Sequence, residues 1–103
     1  MSYEVLRTST ADEHIRGIAQ YLSKVSGSSA TALRFVSDLQ DATQRLAEFP
    51  MLGSVPRWGA LAKHGYRMLR VGKYLLFYTI DDEKRQVVVV AVVHGSREYW
   101  RLL

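Results

Sequence analysis

Near the end of the chain, residues 87–93 read Val-Val-Val-Val-Ala-Val-Val, seven apolar positions with no polar interruption. A run that short cannot cross a membrane, and its β-branched side chains disfavour a helix, so it reads as a strand covered on both faces. Such a strand needs neighbours at both edges and packing on its faces, which commits the chain to a sheet with a covering layer. The preceding residues supply the neighbours. Residues 66–71 and 74–80 read as strands flanking Gly72-Lys73, a two-residue turn with glycine first, the pattern of a tight hairpin. Residues 81–85 are a polar connection into a last strand at 86–93.

The covering layer is supplied by the first half. Residues 3–8 alternate as a short strand, and Ser9 or Thr10 then stands where a helix N-cap would. Thr10 and Glu13 have capping-box spacing, with Asp12 and Glu13 in the first turn where the helix dipole favours acids. Ile15, Ile18, Ala19, Leu22 and Val25 follow at helical spacing, and Gly27 is a C-terminal stop. Ser28 or Ser29 opens a second helix whose apolar side is Ala32, Leu33, Val36, Leu39, Thr43, Leu46 and Ala47, ending before Phe49-Pro50. Residues 51–65, with Gly53, Pro56, Gly59 and Gly65, read as a loop. Tyr66, Tyr74 and Tyr78 are assigned by spacing to one sheet face, as core or groove wall. The expected fold is α+β in the order β-α-α-β-β-β: a helical hairpin on one face of a small, mostly antiparallel sheet, one domain over residues 1–103.

Several function classes drop out. With no cysteine there are no disulfides, thiolate zinc sites or cysteine nucleophiles, which suits a reducing cytoplasm. His14, His64 and His94 lie far apart in sequence, so neither a metal nor another cofactor is expected. The start carries no signal-peptide pattern and no apolar run reaches membrane-spanning length, so a soluble cytoplasmic protein without membrane contact is expected. Net charge is only +4, but its placement is uneven. Residues 49–80 hold no acid, while Arg57, Lys63, Arg67, Arg70 and Lys73 are all basic. That stretch is a candidate surface for a polyanion such as nucleic acid or for an acidic partner segment; the plain alternative is a solvated loop and an edge strand guarded by cations.

The element order, with particular residues at particular places, resembles the RelE/ParE superfamily over nearly the whole chain. The matching features are the opening strand, then Ala11, Ile15, Ile18, Tyr21 and Leu22, then Ala32, Phe35, Leu39, Leu46, Phe49-Pro50 and Gly53. After them come Tyr-Arg-Met-Leu-Arg-Val-Gly-Lys-Tyr-Leu-Leu-Phe-Tyr at 66–78 and Val-Ala-Val-Val-His-Gly-Ser-Arg-Glu at 90–98. The combination in order is far more specific than any one piece. The resemblance implies the toxin half of a type II toxin–antitoxin (plasmid stabilisation) module, held inactive by a cognate antitoxin whose C-terminal segment wraps it. RelE-like members cut messenger RNA on the ribosome without a metal, whereas ParE-like members poison DNA gyrase. The long paired helices and the Phe49-Pro50…Gly53 stretch are more similar to the ParE side.

Metal-free RNA cleavage needs a base for the 2′-hydroxyl proton, an acid for the leaving oxygen and cations for the transition-state charge. If the chain is a ribonuclease, the candidates are His94 and Tyr99 as proton carriers with Arg67 and Arg97 as phosphate clamps; Arg70 and Lys73 are further cations. Strand alternation places Arg67 and Arg70 on opposite faces unless a bulge intervenes. Many ribonuclease members of the superfamily carry an arginine directly after the tyrosine of the third strand, where this chain has Leu75 after Tyr74. Some rely instead on a histidine near the end of the last strand, where His94 falls. His94 has an equally weighted structural role as a hydrogen-bonding cap of the sheet. Trp58 and Trp100 could stack on a base or anchor an antitoxin helix, but a tryptophan that covers the core edge is the favoured reading for each. Leu75 tips the expectation toward gyrase over the ribosome, with a non-toxic nucleic-acid-binding module or an inactivated toxin as further alternatives.

Overall fold

The computed structural model describes residues 2–57 and 59–96. The chain runs β1 (Glu4–Arg7), α1 (Ser9–Ser26), α2 (Ala30–Glu48), a 3-10 turn (Pro50–Leu52), α3 (Gly59–Lys63), β2 (Arg67–Val71), β3 (Tyr74–Asp81) and β4 (Gln86–His94). The strands form one sheet in the order β1-β4-β3-β2. β1 lies parallel to β4, and the β2–β3 and β3–β4 pairs are antiparallel. The apolar run is therefore an inner strand. Gly72, at φ 60°, takes the left-handed conformation of the β2–β3 turn, and Arg85, at φ 53°, does so between β3 and β4.

Both faces of the sheet are covered, unequally. The hairpin of α1 and α2 lies on one face. Phe35, Leu39, Ala42 and Leu46 of α2 pack there with Ala11, Val71, Leu76, Tyr78, Val87, Val89 and Val92, and Ile15, Ile18 and Leu22 of α1 border the cluster. On the other face Leu61 of α3 packs with Leu75, Phe77, Ala91 and Val93, bordered by Tyr66 and Met68. No described helix is long and apolar enough to cross a membrane.

Local details depart from the sequence reading. The N-cap of α1 is Thr8, whose side chain accepts the Ala11 N–H, so the helix opens before the Thr10–Glu13 pair and the capping box is not used. Gly27 closes α1 in the left-handed region as expected. Leu33 and Val25 are each 66% exposed, because the buried stripe of α2 is Ala32, Phe35, Leu39, Ala42 and Leu46, and α1 has left the core by Val25. The supposed loop at 51–65 contains most of the 3-10 turn and α3, and Ser54 pairs with Met68 as an isolated bridge. Tyr66 joins the second face, away from Tyr74 and Tyr78.

Candidate functional site

β1 pairs only with residues 86–89, so β4 continues past it with an open outer edge. The first half of α1 lies along that edge. The Thr8 N–H donates to Val89 O (3.0 Å), the Thr8 hydroxyl donates to Val90 O (3.4 Å), and the Val92 N–H donates to His14 Nδ1 (3.2 Å). As acceptor at Nδ1, His14 carries its ring proton on Nε2. A side chain thus satisfies a strand N–H that would otherwise lack a partner strand.

A bulge then turns the end of β4. Phe77 is paired with Ala91 and Tyr78 with Val89, so Val90 is the extra residue. The alternation restarts there, and Val92 and His94 face the helices, as Val87 and Val89 do. Unbroken alternation from Val87 would have turned His94 to the far face. His94 instead pairs with Tyr74, their rings edge to face at 5.5 Å, and Tyr74 packs in turn on Phe35 at 4.9 Å.

The result is a cleft of about 520 Å³ between α1 and the ends of β3 and β4, lined by Glu13, His14, Gly17, Ile18, Tyr21, Tyr74, Val92, Val93 and His94. Burial, reinforced by Tyr21, holds the Tyr74 hydroxyl above the usual tyrosine value, which keeps the phenol protonated at neutral pH. His94 Nδ1 accepts the Ser96 N–H (3.2 Å) and lies 2.7 Å from the Ser96 hydroxyl, which then donates to it. The cleft gathers two imidazoles, two phenols and a carboxylate; none of its described lining residues is a lysine or arginine.

The other proposed residues lie elsewhere. Arg67 pairs with Tyr78 near the opposite end of β3, and its guanidinium donates to Met51 O (3.1 Å) and Gly53 O (2.6 Å). Its Nε is buried with no partner among the described residues. Tyr78 completes a clamp on the same turn: its hydroxyl donates to Pro50 O (2.7 Å) and accepts the Gly53 N–H (2.9 Å). The β2–β3 register is unbroken, so Arg70 faces away from Arg67, beside Leu75. Its guanidinium reaches Gly72 O (3.4 Å) and lies near Gly95. Arg57, Lys63 and Lys73 are exposed on the loop, on α3 and in the β2–β3 turn. Arg67 thus stands at the start of β2, and Arg70 and Lys73 at its other end by the β2–β3 turn. Leu75 is buried in the second face. Arg97, Tyr99, Trp58 and Trp100 lie outside the described residues. His14, Glu13, Tyr21 and Tyr74 as partners of His94, and the Tyr78–Arg67 clamp, were not anticipated. A histidine one turn before Ile18, beside the apolar stripe of α1, was the available signal for the first group.

The model of the family described as the ParE toxin of type II toxin–antitoxin systems, parDE, matches residues 5–99. No match was found among curated proteins. Among solved structures, the chain is similar to the RelBE2 toxin–antitoxin complex of Mycobacterium tuberculosis, at 29% identity and TM-score 0.63 over 91% of this chain and 99% of that one. It is similar also to a chromosomal ParDE system of P. aeruginosa (13% identity, TM-score 0.73, 90% and 96% covered) and to the RelBE complex of E. coli (19%, 0.62, 93% and 100%). At those identities the last two show the fold alone. The family match takes in every strand and helix from Val5 onward, and the chain belongs to the ParE toxin family of type II toxin–antitoxin systems.

Proposed function

We propose that the protein is an antitoxin-neutralised toxin that arrests bacterial growth from the cytoplasm by binding DNA gyrase, and that it does not cut RNA. One observation carries the choice of target: the cleft that collects the proton carriers has no described cation in its lining. Cleavage of an RNA phosphodiester places extra negative charge on the phosphate oxygens, and the described lining of this cleft offers no cation to stabilise it. Arg67 is committed to two main-chain carbonyls at the other end of the sheet, and Leu75, where the ribonuclease pattern has arginine, is core. A cognate antitoxin is supported by the solved RelBE and ParDE assemblies that share the fold.

The test is direct. Purified protein should block supercoiling by gyrase or stabilise cleaved DNA, and should leave translated messenger intact. The second reading, a ribosome-dependent endoribonuclease, is favoured by one feature, the meeting of His94, His14 and Tyr74 in one cleft. It requires messenger cut within codons, with His94→Ala lowering that cutting by a factor on the order of 10²–10⁴, as for loss of a general acid or base. Normal growth at confirmed soluble expression would exclude both toxins and leave a binding module or an inactivated toxin.

A further inference from the structure

Phe49, Met51, Leu52 and Val55 are 61%, 68%, 40% and 51% exposed, four large apolar side chains within seven residues. Apolar surface concentrated in this way marks an interaction site more often than it marks chance. The backbone that carries it is held unusually firmly. Tyr78, fully buried, bonds Pro50 O and the Gly53 N–H; Arg67 bonds Met51 O and Gly53 O; and Ser54 exchanges both backbone bonds with Met68. Gly53 passes so close that a Cβ there would stand 2.5 Å from Met68 O and 2.7 Å from the Tyr78 hydroxyl.

From this we propose that the segment from Phe49 to Val55 is a preformed apolar plug that anchors the toxin to its target, entering an existing pocket on a folded protein with acidic residues at its rim. The inference rests on the reading that the target is gyrase and names the surface that would make the contact. Shape selects the class of partner. A wrapping helix or strand settles into a concavity, whereas protruding side chains on a fixed turn need a partner that brings the pocket. Fixing the turn beforehand removes much of the ordering cost that a mobile loop would incur on binding. Charge selects the rim: the segment is flanked in sequence by Arg45 and Arg57, against the single acid Glu48.

The test compares the wild type with a Phe49→Ser, Met51→Ser double variant, in growth arrest and in inhibition of purified gyrase holoenzyme. Thermal melting confirms that both are folded. Arg57→Glu is the charge control. The double variant should lose more than tenfold in both readouts, and Arg57→Glu should lose less. In Val55→Cys, the only thiol in a chain without cysteine, alkylation should slow at least tenfold on adding gyrase. Full inhibition of gyrase by the double variant would overturn the plug while leaving gyrase as the target. If the wild type arrests growth without touching gyrase, the target reading fails, and the double variant's growth arrest decides: lost, it upholds the plug; kept, it overturns it. A wild type that arrests nothing overturns both. If Arg57→Glu abolishes activity and the double variant does not, the contact is with a polyanion such as nucleic acid, and the plug is overturned.

Discussion

Near the start of β2, Tyr78 and Arg67 place four side-chain hydrogen bonds on the backbone of Pro50, Met51 and Gly53, and the glycine fits with no room for a methyl group. At the far end of β3, the cleft between α1 and β4 spans about 520 Å³, a single imidazole bond joins helix to strand there, and Gly17 has nothing within 4 Å of where a Cβ would stand. Both ends are built from tyrosine, glycine and a few ionisable side chains, Arg67 at one and Glu13, His14 and His94 at the other. One uses its polar groups against its own backbone; the other leaves most of them facing a cavity. The same residue types thus make a fixed support in one place and an open site in the other, depending on whether their partners are internal.

The largest expected effect comes from the same substitution at both ends. Gly53→Ala must displace Met68 O or the Tyr78 ring and should destabilise the fold by about 2–3 kcal/mol, the upper part of the range of an overpacked core. Gly17→Ala, in a helix with open space beside it, should instead stabilise by roughly 0.5–1 kcal/mol. Denaturant titration of the two variants gives both signs, and a neutral Gly53→Ala would remove the contrast. Next, Tyr78→Phe leaves the buried Gly53 N–H unpaired and should cost about 1–3 kcal/mol, whereas His14→Ala exposes the Val92 N–H to replacement by water and should cost about 1 kcal/mol or less. Amide exchange should then accelerate at Val92 alone, and His14→Asn, whose side-chain oxygen can accept the same bond, should recover part of the loss.

The smallest effect is in pH. Burial raises the Tyr74 hydroxyl in the folded chain above the ordinary value of 10.0, so its contribution is full below pH 10 and is lost as pH climbs through the raised value. Tyr74→Phe should flatten that part of the alkaline unfolding curve. An unchanged slope would mean that the cleft leaves this phenol as wet as an exposed one.

The sheet and the helical hairpin were legible because they follow from period and punctuation: the apolar run at 87–93, Gly72-Lys73, Gly27 and Phe49-Pro50. The clamp was not, because it joins Arg67 and Tyr78 to carbonyls of a segment whose glycines and prolines look like any loop. Nor was the cleft. Val90 has the same side chain as its three predecessors, so no change of residue type marks the bulge that turns His94 toward α1. Arg67 and Arg70 were rightly assigned to opposite faces by alternation, but a pattern of charges could not tell a cation aimed at solvent from one engaged with its own backbone.

That bulge has a consequence for how this strand tolerates change in length. β4 behaves as two rulers joined by a slack link: residues 86–89 are keyed to β1, residues 91–94 to the first half of β3, and Val90 belongs to neither scale. Removing Val90 would leave both scales in step, with His94 still opposite Tyr74. Removing one residue on either side would force the link to absorb the error or would rotate a whole scale by half a period. An insertion or deletion at this one position is therefore the change through which relatives could differ in length while keeping the same surface armed, and matching them by count alone across it would assign the end of the strand to the wrong side.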